Sequence, residues 1–294
     1  MTSAFWEQVV ADGLKVPQGR PLDEMTAELT RMLGDPDPAA RDGIAFPTLA
    51  TWIGDGVYDE LLHGLGDGMC DGLAVGLGES GTDTVFRRSY SALVVTECID
   101  RDTAAALVPT DVVLDWGDRI AGWLVRERDL RGFVPGSGWA LAVAHGADAI
   151  GALARSPRFG PLELTVLLDV VADRLLLPTE AFFVCGEPDR LALAVMHLLR
   201  RDLLGLDVLE PWVNRIAAAA SPAGDVHHNP FHVAGNAQGF LRSLHLQLAL
   251  GPRHPEVRAD LLLVLIDQLR RTNAPYFVAP SAGPTPGQAR RTAQ

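Results

Sequence analysis

The sequence predicts an all-α chain, an α/α superhelix of about fourteen helices, on three observations. Apolar residues recur at spacings of three and four along most of the 294 residues. Strand signal is almost absent, because β-branched runs such as Leu93-Val94-Val95-Thr96 lie inside longer helical patterns. Helix punctuation recurs as well: Pro36-Asp37-Pro38, Thr110-Asp111, Ser156-Pro157, Glu187-Pro188 and Pro255 each stand just before or at a predicted helix start.

At the N-terminus, Met1 to Pro17 carries Glu7 and Asp12 and lacks the basic start and apolar run of a signal peptide. No stretch is long and charge-free enough to span a membrane. Cys70, Cys98 and Cys185 show no pairing or metal-ligand spacing and read as buried, reduced thiols. A cytoplasmic setting is the expectation.

Five strongly apolar helices are predicted to begin near Arg41, Thr82, Ser137, Asp189 and Asn236, about one helix pair apart. Each follows a turn rich in Gly, Pro or Asp. The first such turn, Leu33 to Asp42, resembles the turn of a HEAT repeat. A lone helix pair cannot bury its own apolar face, so such pairs stack side by side. The expectation is a HEAT-like helical solenoid over residues 1–278, with the five helices lining a concave groove. Residues 279–294 lack core-forming types and are expected to form a disordered tail.

The net charge of −12 bears on partners. Nucleic-acid binding draws on Lys and Arg neutralising phosphates, and the chain has a single lysine, Lys15, with arginines scattered among acids. No nucleic-acid partner is expected. An acidic surface favours basic or neutral ligands.

The most informative segment runs from Asp129 to Ile150, a Gly/Pro-rich loop leading into a helix of small residues, with Ser137 a candidate N-cap. His145 and Asp148 are three apart and share a helix face. Such a pair either orients an imidazole for proton transfer or ties two helices together. Trp139 opens this helix beside glycines and is a candidate pocket wall. Trp52, Trp116, Trp123 and Trp212 read as core.

A second cluster is Gly81 to Tyr90. Asp83 and Arg87 are spaced to pair along a helix, and Arg88 points elsewhere. The two arginines form either an anion clamp or part of an ion-pair ladder between repeats. Arg190 and Asn236 complete the candidate groove residues. His227, His228 and His232 form a third cluster, but Pro230 lies among them and fits only a first helical turn. A solvated loop is the expectation there, with no metal. No phosphate-cradling loop, dinucleotide fingerprint or nucleophile elbow occurs, so no cofactor and no covalent nucleophile is expected.

Leu49 to Ile53, Gly81 to Leu93, Arg131 to Asp148, Asp189 to Ala192 and Asn236 to Leu248 together resemble the bacterial family catalogued as domain of unknown function 2785. The resemblance spans about residues 5–275 and implies a HEAT-like α/α fold of uncharacterised activity. It also implies a His where Leu141 stands here, which would give a His-x-x-x-His-x-x-Asp face.

Two functions follow as expectations. One is a scaffold whose concave groove binds a peptide, partner protein or small ligand. The other is a hydrolase or isomerase with His145 as general base, Asp148 orienting it, and Arg87 or Arg88 holding an anionic substrate.

Overall fold

Helical periodicity becomes helix over most of the described residues in a computed structural model that describes residues 2–222 and 229–277. The helices are α1 (Thr2–Ala11), α2 (Leu22–Met32), the single turn α3 (Pro38–Ala40), α4 (Phe46–Gly54), α5 (Leu62–Gly72), α6 (Thr84–Ala105) and α7 (Thr110–Arg126). A two-residue strand pair follows, β1 (Phe133–Val134) and β2 (Gly138–Trp139). After it come α8 (Ala142–Arg155), α9 (Pro161–Leu176), α10 (Glu187–Leu199), α11 (Leu206–Ala219), α12 (Phe231–Leu250) and α13 (Arg258–Thr272). Between α3 and α4 the chain winds as a π-helical turn, Arg41–Ala45. The expected tail, 279–294, lies outside the described residues.

Two rows of helices emerge from the contacts. In one row α4 packs on α6, α6 on α8, α8 on α10 and α10 on α12. In the other α5 packs on α7, α7 on α9, α9 on α11 and α11 on α13. Buried apolar residues from Trp6 to Leu265 join in one cluster between and within these rows. Trp6, Trp52, Trp116, Trp123 and Trp212 are all buried in it.

Polar bonds repeat along the rows. Arg155 of α8 clasps Asp100 of α6 at 2.7 and 2.8 Å, and Arg190 of α10 pairs with Asp148 of α8. Ser243 of α12 donates to Asp189 of α10 at 2.7 Å. On the other row Arg119 of α7 pairs with Asp71 of α5, Arg215 of α11 with Asp173 of α9, and Gln268 of α13 donates to Asn214 of α11 at 2.8 Å. At the helix ends Arg201 donates to the carbonyls of Ala154 and Ser156, which α8 leaves open at its C-terminus, and to that of Phe159 in the loop that follows.

Close approach between helices needs small residues at particular points. A Cβ on Gly66 of α5 would fall 2.1 Å from the Trp116 ring of α7, and one on Gly146 of α8 would fall 2.6 Å from Leu124 of α7. The small-residue stretch of α8 therefore admits a neighbouring helix, and nearly all of that helix is buried.

Three local expectations are corrected. Ser137 is not an N-cap and Trp139 does not open a helix. Gly136 and Gly138 take positive φ values of 84° and 77°, turning the chain into the β1–β2 pair, and α8 begins only at Ala142. The Ser137 carbonyl instead accepts from Arg41 Nη2 at 2.7 Å. Next, α12 begins at Phe231, before Asn236, with Asn229 Oδ1 accepting from the Phe231 N–H at 3.0 Å. Finally, Cys70 and Cys98 are buried, whereas Cys185 is only half-buried.

Candidate functional site

Three successive helices of the first row present matching faces. On α6 the residues Tyr90, Leu93, Glu97 and Asp100 recur at spacings of three and four, which places them along one side. On α8 the same spacing carries His145, Asp148, Gly151 and Arg155, and on α10 it carries Arg190, Leu193 and His197. Together with Phe46 of α4, these faces enclose a groove of about 400 Å³ lined by Thr96, Glu97, Asp148, Arg155, Arg190 and His197. Its apolar wall includes Phe46, Leu93 and Leu193, the last 41 % exposed.

Within the groove the charges are unevenly matched. Arg190 Nε donates to Asp148 Oδ1 at 2.9 Å, and Arg155 is held by Asp100. Glu97 is half-buried and makes no ion pair with any described residue. Burial first, and then the neighbouring Asp100, push its carboxyl above the usual range, against a lowering contribution from Arg155. The His197 imidazole is pushed down to about 4, by burial first and then by Arg155 and Arg200.

His145 stands behind this surface. It is 5 % exposed, and its Nδ1 lies 2.7 Å from Ser89 Oγ of α6. Ser89 Oγ also donates to the Ala140 carbonyl, so the imidazole supplies the proton of the Ser89–His145 bond and carries it on Nδ1. The Tyr90 ring meets the imidazole edge-on, with centroids 5.2 Å apart. Burial, followed by Arg190 and Arg41, drives the His145 pKa down to about 3, against the raising effect of the hydrogen bond it donates to Ser89. The imidazole is therefore neutral at physiological pH. Its partner is Ser89, while Asp148 turns to Arg190.

The other predicted residues are dispersed. Asp83 is exposed at the start of α6. Arg87 does not pair with it: its Nη1 donates across to the Thr30 carbonyl of α2. Arg88 is fully buried, with Nε and Nη2 on Glu127 at 2.5 and 2.9 Å. Its Nη1 donates to the carbonyls of Val75 and Gly76 and to Thr84. Glu127 in turn accepts from Trp123 Nε1 and from the Arg128 and Asp129 N–H groups, each at 2.9 Å. Arg88 thus ties α6 to the end of α7. Asn236 is also buried, accepting from the Phe183 N–H at 2.8 Å and donating to the Ala181 carbonyl at 2.9 Å, which fixes the segment before α10.

Trp139 is 44 % exposed and stacks edge-on with Phe133 of the strand pair, centroids 5.0 Å apart. Leu141, where the family resemblance implies a His, sits just before α8 with φ of 51°, and its carbonyl accepts from the His145 N–H at 2.9 Å. Among the described residues no group of three His, Cys, Asp or Glu is placed to hold a metal ion. His227 and His228 lie outside the described residues, and His232 packs against Phe182. No described helix is long and apolar enough to cross a membrane.

Of the eight predicted residues, the groove gathers Asp148 and Arg190, with His145 packed behind. Sequence reasoning missed Glu97, Leu193, Arg155 and His197. Their signal was present: each continues the three-and-four spacing from a residue already singled out on its helix.

Comparison with known families bears on this region directly. A family described as "Protein of unknown function (DUF2785)" matches residues 73–246, more than half of the chain. The chain belongs to this family. The DUF2785 segment contains α6, α8 and α10, and so includes every groove residue except Phe46. Comparison with curated proteins and with solved structures gives no match.

Proposed function

We propose that this DUF2785 protein is a cytoplasmic binding module: a HEAT-like helical solenoid whose α6–α8–α10 groove captures a polypeptide segment bearing an apolar side chain next to a basic one. The two rows of helices, each packed on the next but one in sequence, support the solenoid reading. The observation that carries the binding reading is Glu97, a half-buried carboxyl without an ion-pair partner in a groove with an apolar wall. A Lys or Arg of the partner would supply the missing cation in partly desolvated surroundings, where such a pair is stronger than at an open surface. Its apolar neighbour would lie against Phe46, Leu93 and Leu193. Asp148–Arg190 and Asp100–Arg155 frame the position and hold the three helices in register.

The proton-transfer reading has less support. A general base works best with a pKa near the operating pH, and His145, held at about 3 and bonded to Ser89, lies far from it. The acidic balance of the chain agrees with a basic partner and argues against nucleic acid.

Fluorescently labelled short peptides with Phe-Lys or Leu-Arg centres, beside Phe-Glu controls, test the proposal by anisotropy titration. Basic peptides should bind, and Glu97→Gln and Leu193→Asp should each weaken them about tenfold or more without lowering the melting temperature. Equal binding of basic and acidic peptides, or indifference to both substitutions, would contradict it.

A further inference from the structure

A second cavity, separate from the groove in its lining residues, occupies about 1470 Å³. It is bounded by the loop after α5, the end of α7 and the segment following it, the end of α9, and the start of α12. Four arginines line it: Arg126, Arg128, Arg131 and Arg174. The acids of its lining are Glu127 and Glu180. Glu127 is fully buried and engaged by Arg88, and Glu180 is exposed. Arg131 is held by Asp129 at 2.6 Å, but Arg126, Arg128 and Arg174 form no ion pair with any described residue. A chain of net charge −12 therefore concentrates unmatched cations around one cavity.

Arg174 is the decisive member. It projects from α9, is 3 % exposed, and no carboxylate of the described residues lies within ion-pair reach. Its Nη1 donates to the carbonyls of Leu124 and Glu127 at the end of α7, while its Nε has no hydrogen-bond partner. Burial pulls its pKa down to about 10 despite the Glu127 charge nearby. A buried guanidinium without a counter-ion is costly, and an anion drawn beside it in the cavity offsets that cost. Leu77, Val125, Leu130, Leu177 and Val233 supply apolar wall to the same cavity.

We propose that this cavity binds a small organic anion, a carboxylate or phosphate group on an apolar body, with Arg174 as the buried anchor and Arg128 as the cation at the mouth. The guanidinium fork suits either oxyanion, and the apolar walls take the remainder of the molecule. The site shares no residue with the α6–α8–α10 groove, so it stands or falls independently of the peptide proposal.

Calorimetric titration of the full chain at low salt with benzoate, phenyl phosphate, inorganic phosphate and neutral benzyl alcohol tests it. Saturable one-to-one binding of benzoate or phenyl phosphate is expected, with benzyl alcohol much weaker. The stronger of the two anions identifies the headgroup class, and inorganic phosphate binding as tightly as phenyl phosphate would refute the apolar contribution. Arg174→Met should abolish binding. Because that variant loses caps on α7, exposed Arg128→Glu serves as a second: it should weaken binding about tenfold or more with an unchanged melting temperature. Absence of binding by either organic anion at millimolar concentration, or affinity unchanged in Arg128→Glu, would overturn the proposal.

Discussion

Arg88 and Glu127 show what a buried charge does in this chain. Neither side chain is exposed, and every polar atom of the Glu127 carboxylate accepts from a donor within the protein. Removing one charge leaves the other buried and uncompensated, which costs about 3–5 kcal/mol. Glu127→Gln should therefore lower unfolding stability by about that amount in urea titrations; a loss below about 1 kcal/mol would mean the network is not holding α6 to α7. The histidines act through pH. In the folded chain His145 and His197 are held down to about 3 and about 4, whereas in the unfolded chain both take up a proton near pH 6.5. Between those values the unfolded chain binds more protons, so stability is full above about pH 6.5 and falls as the pH drops toward the folded values. His145→Gln should flatten that decline, as read from urea midpoints across the acid range, and an unchanged slope would place the titration elsewhere.

At the scale of the element, glycine placement decides how closely helices meet. Gly66 and Gly64 lie two apart on α5, yet a Cβ on the first would strike the buried Trp116 ring and one on the second meets nothing within 4 Å. Gly66→Ala should thus lower the thermal midpoint by overpacking, about 1–3 kcal/mol. Gly64→Ala should raise it, by about 0.5–1 kcal/mol of helix propensity. Glycines also bear on how much of the fold is legible in the sequence. Helix identity is legible from spacing, because each helix repeats its apolar face. The entry to α8 is not, because Gly136 and Gly138 can serve either a helix start or a reversed turn, and the turn is held by backbone bonds across the strand pair together with the distant contact from Arg41. Side-chain direction is hardest on helices packed on several sides. Buried residues of α6 surround the helix, so Arg88 and Glu97 look equally solvent-facing in sequence. One is enclosed by Glu127 and the other opens onto the groove.

Across the whole molecule, the bonds between Asp100 and Arg155 and between Asp148 and Arg190 are successive steps of one ladder. The ladder aligns α6, α8 and α10 and sets the width of the groove beside Glu97. His145 and Asp148 were legible as a pair on one face, but their partners come from α6 and α10, at separations of 56 and 42 residues. Spacing along one helix carries no information about such contacts, which is why the pair divides between packing and groove. The central claim, that this groove is a binding surface, is tested most directly by amide chemical-shift mapping of the isotopically labelled full chain during titration with a Phe-Lys peptide. The account predicts saturable shifts concentrated on α6, α8 and α10 around Glu97, Asp148, Arg190 and Leu193. No shifts at saturating peptide, or shifts confined to the α5–α7–α9 row, would contradict it.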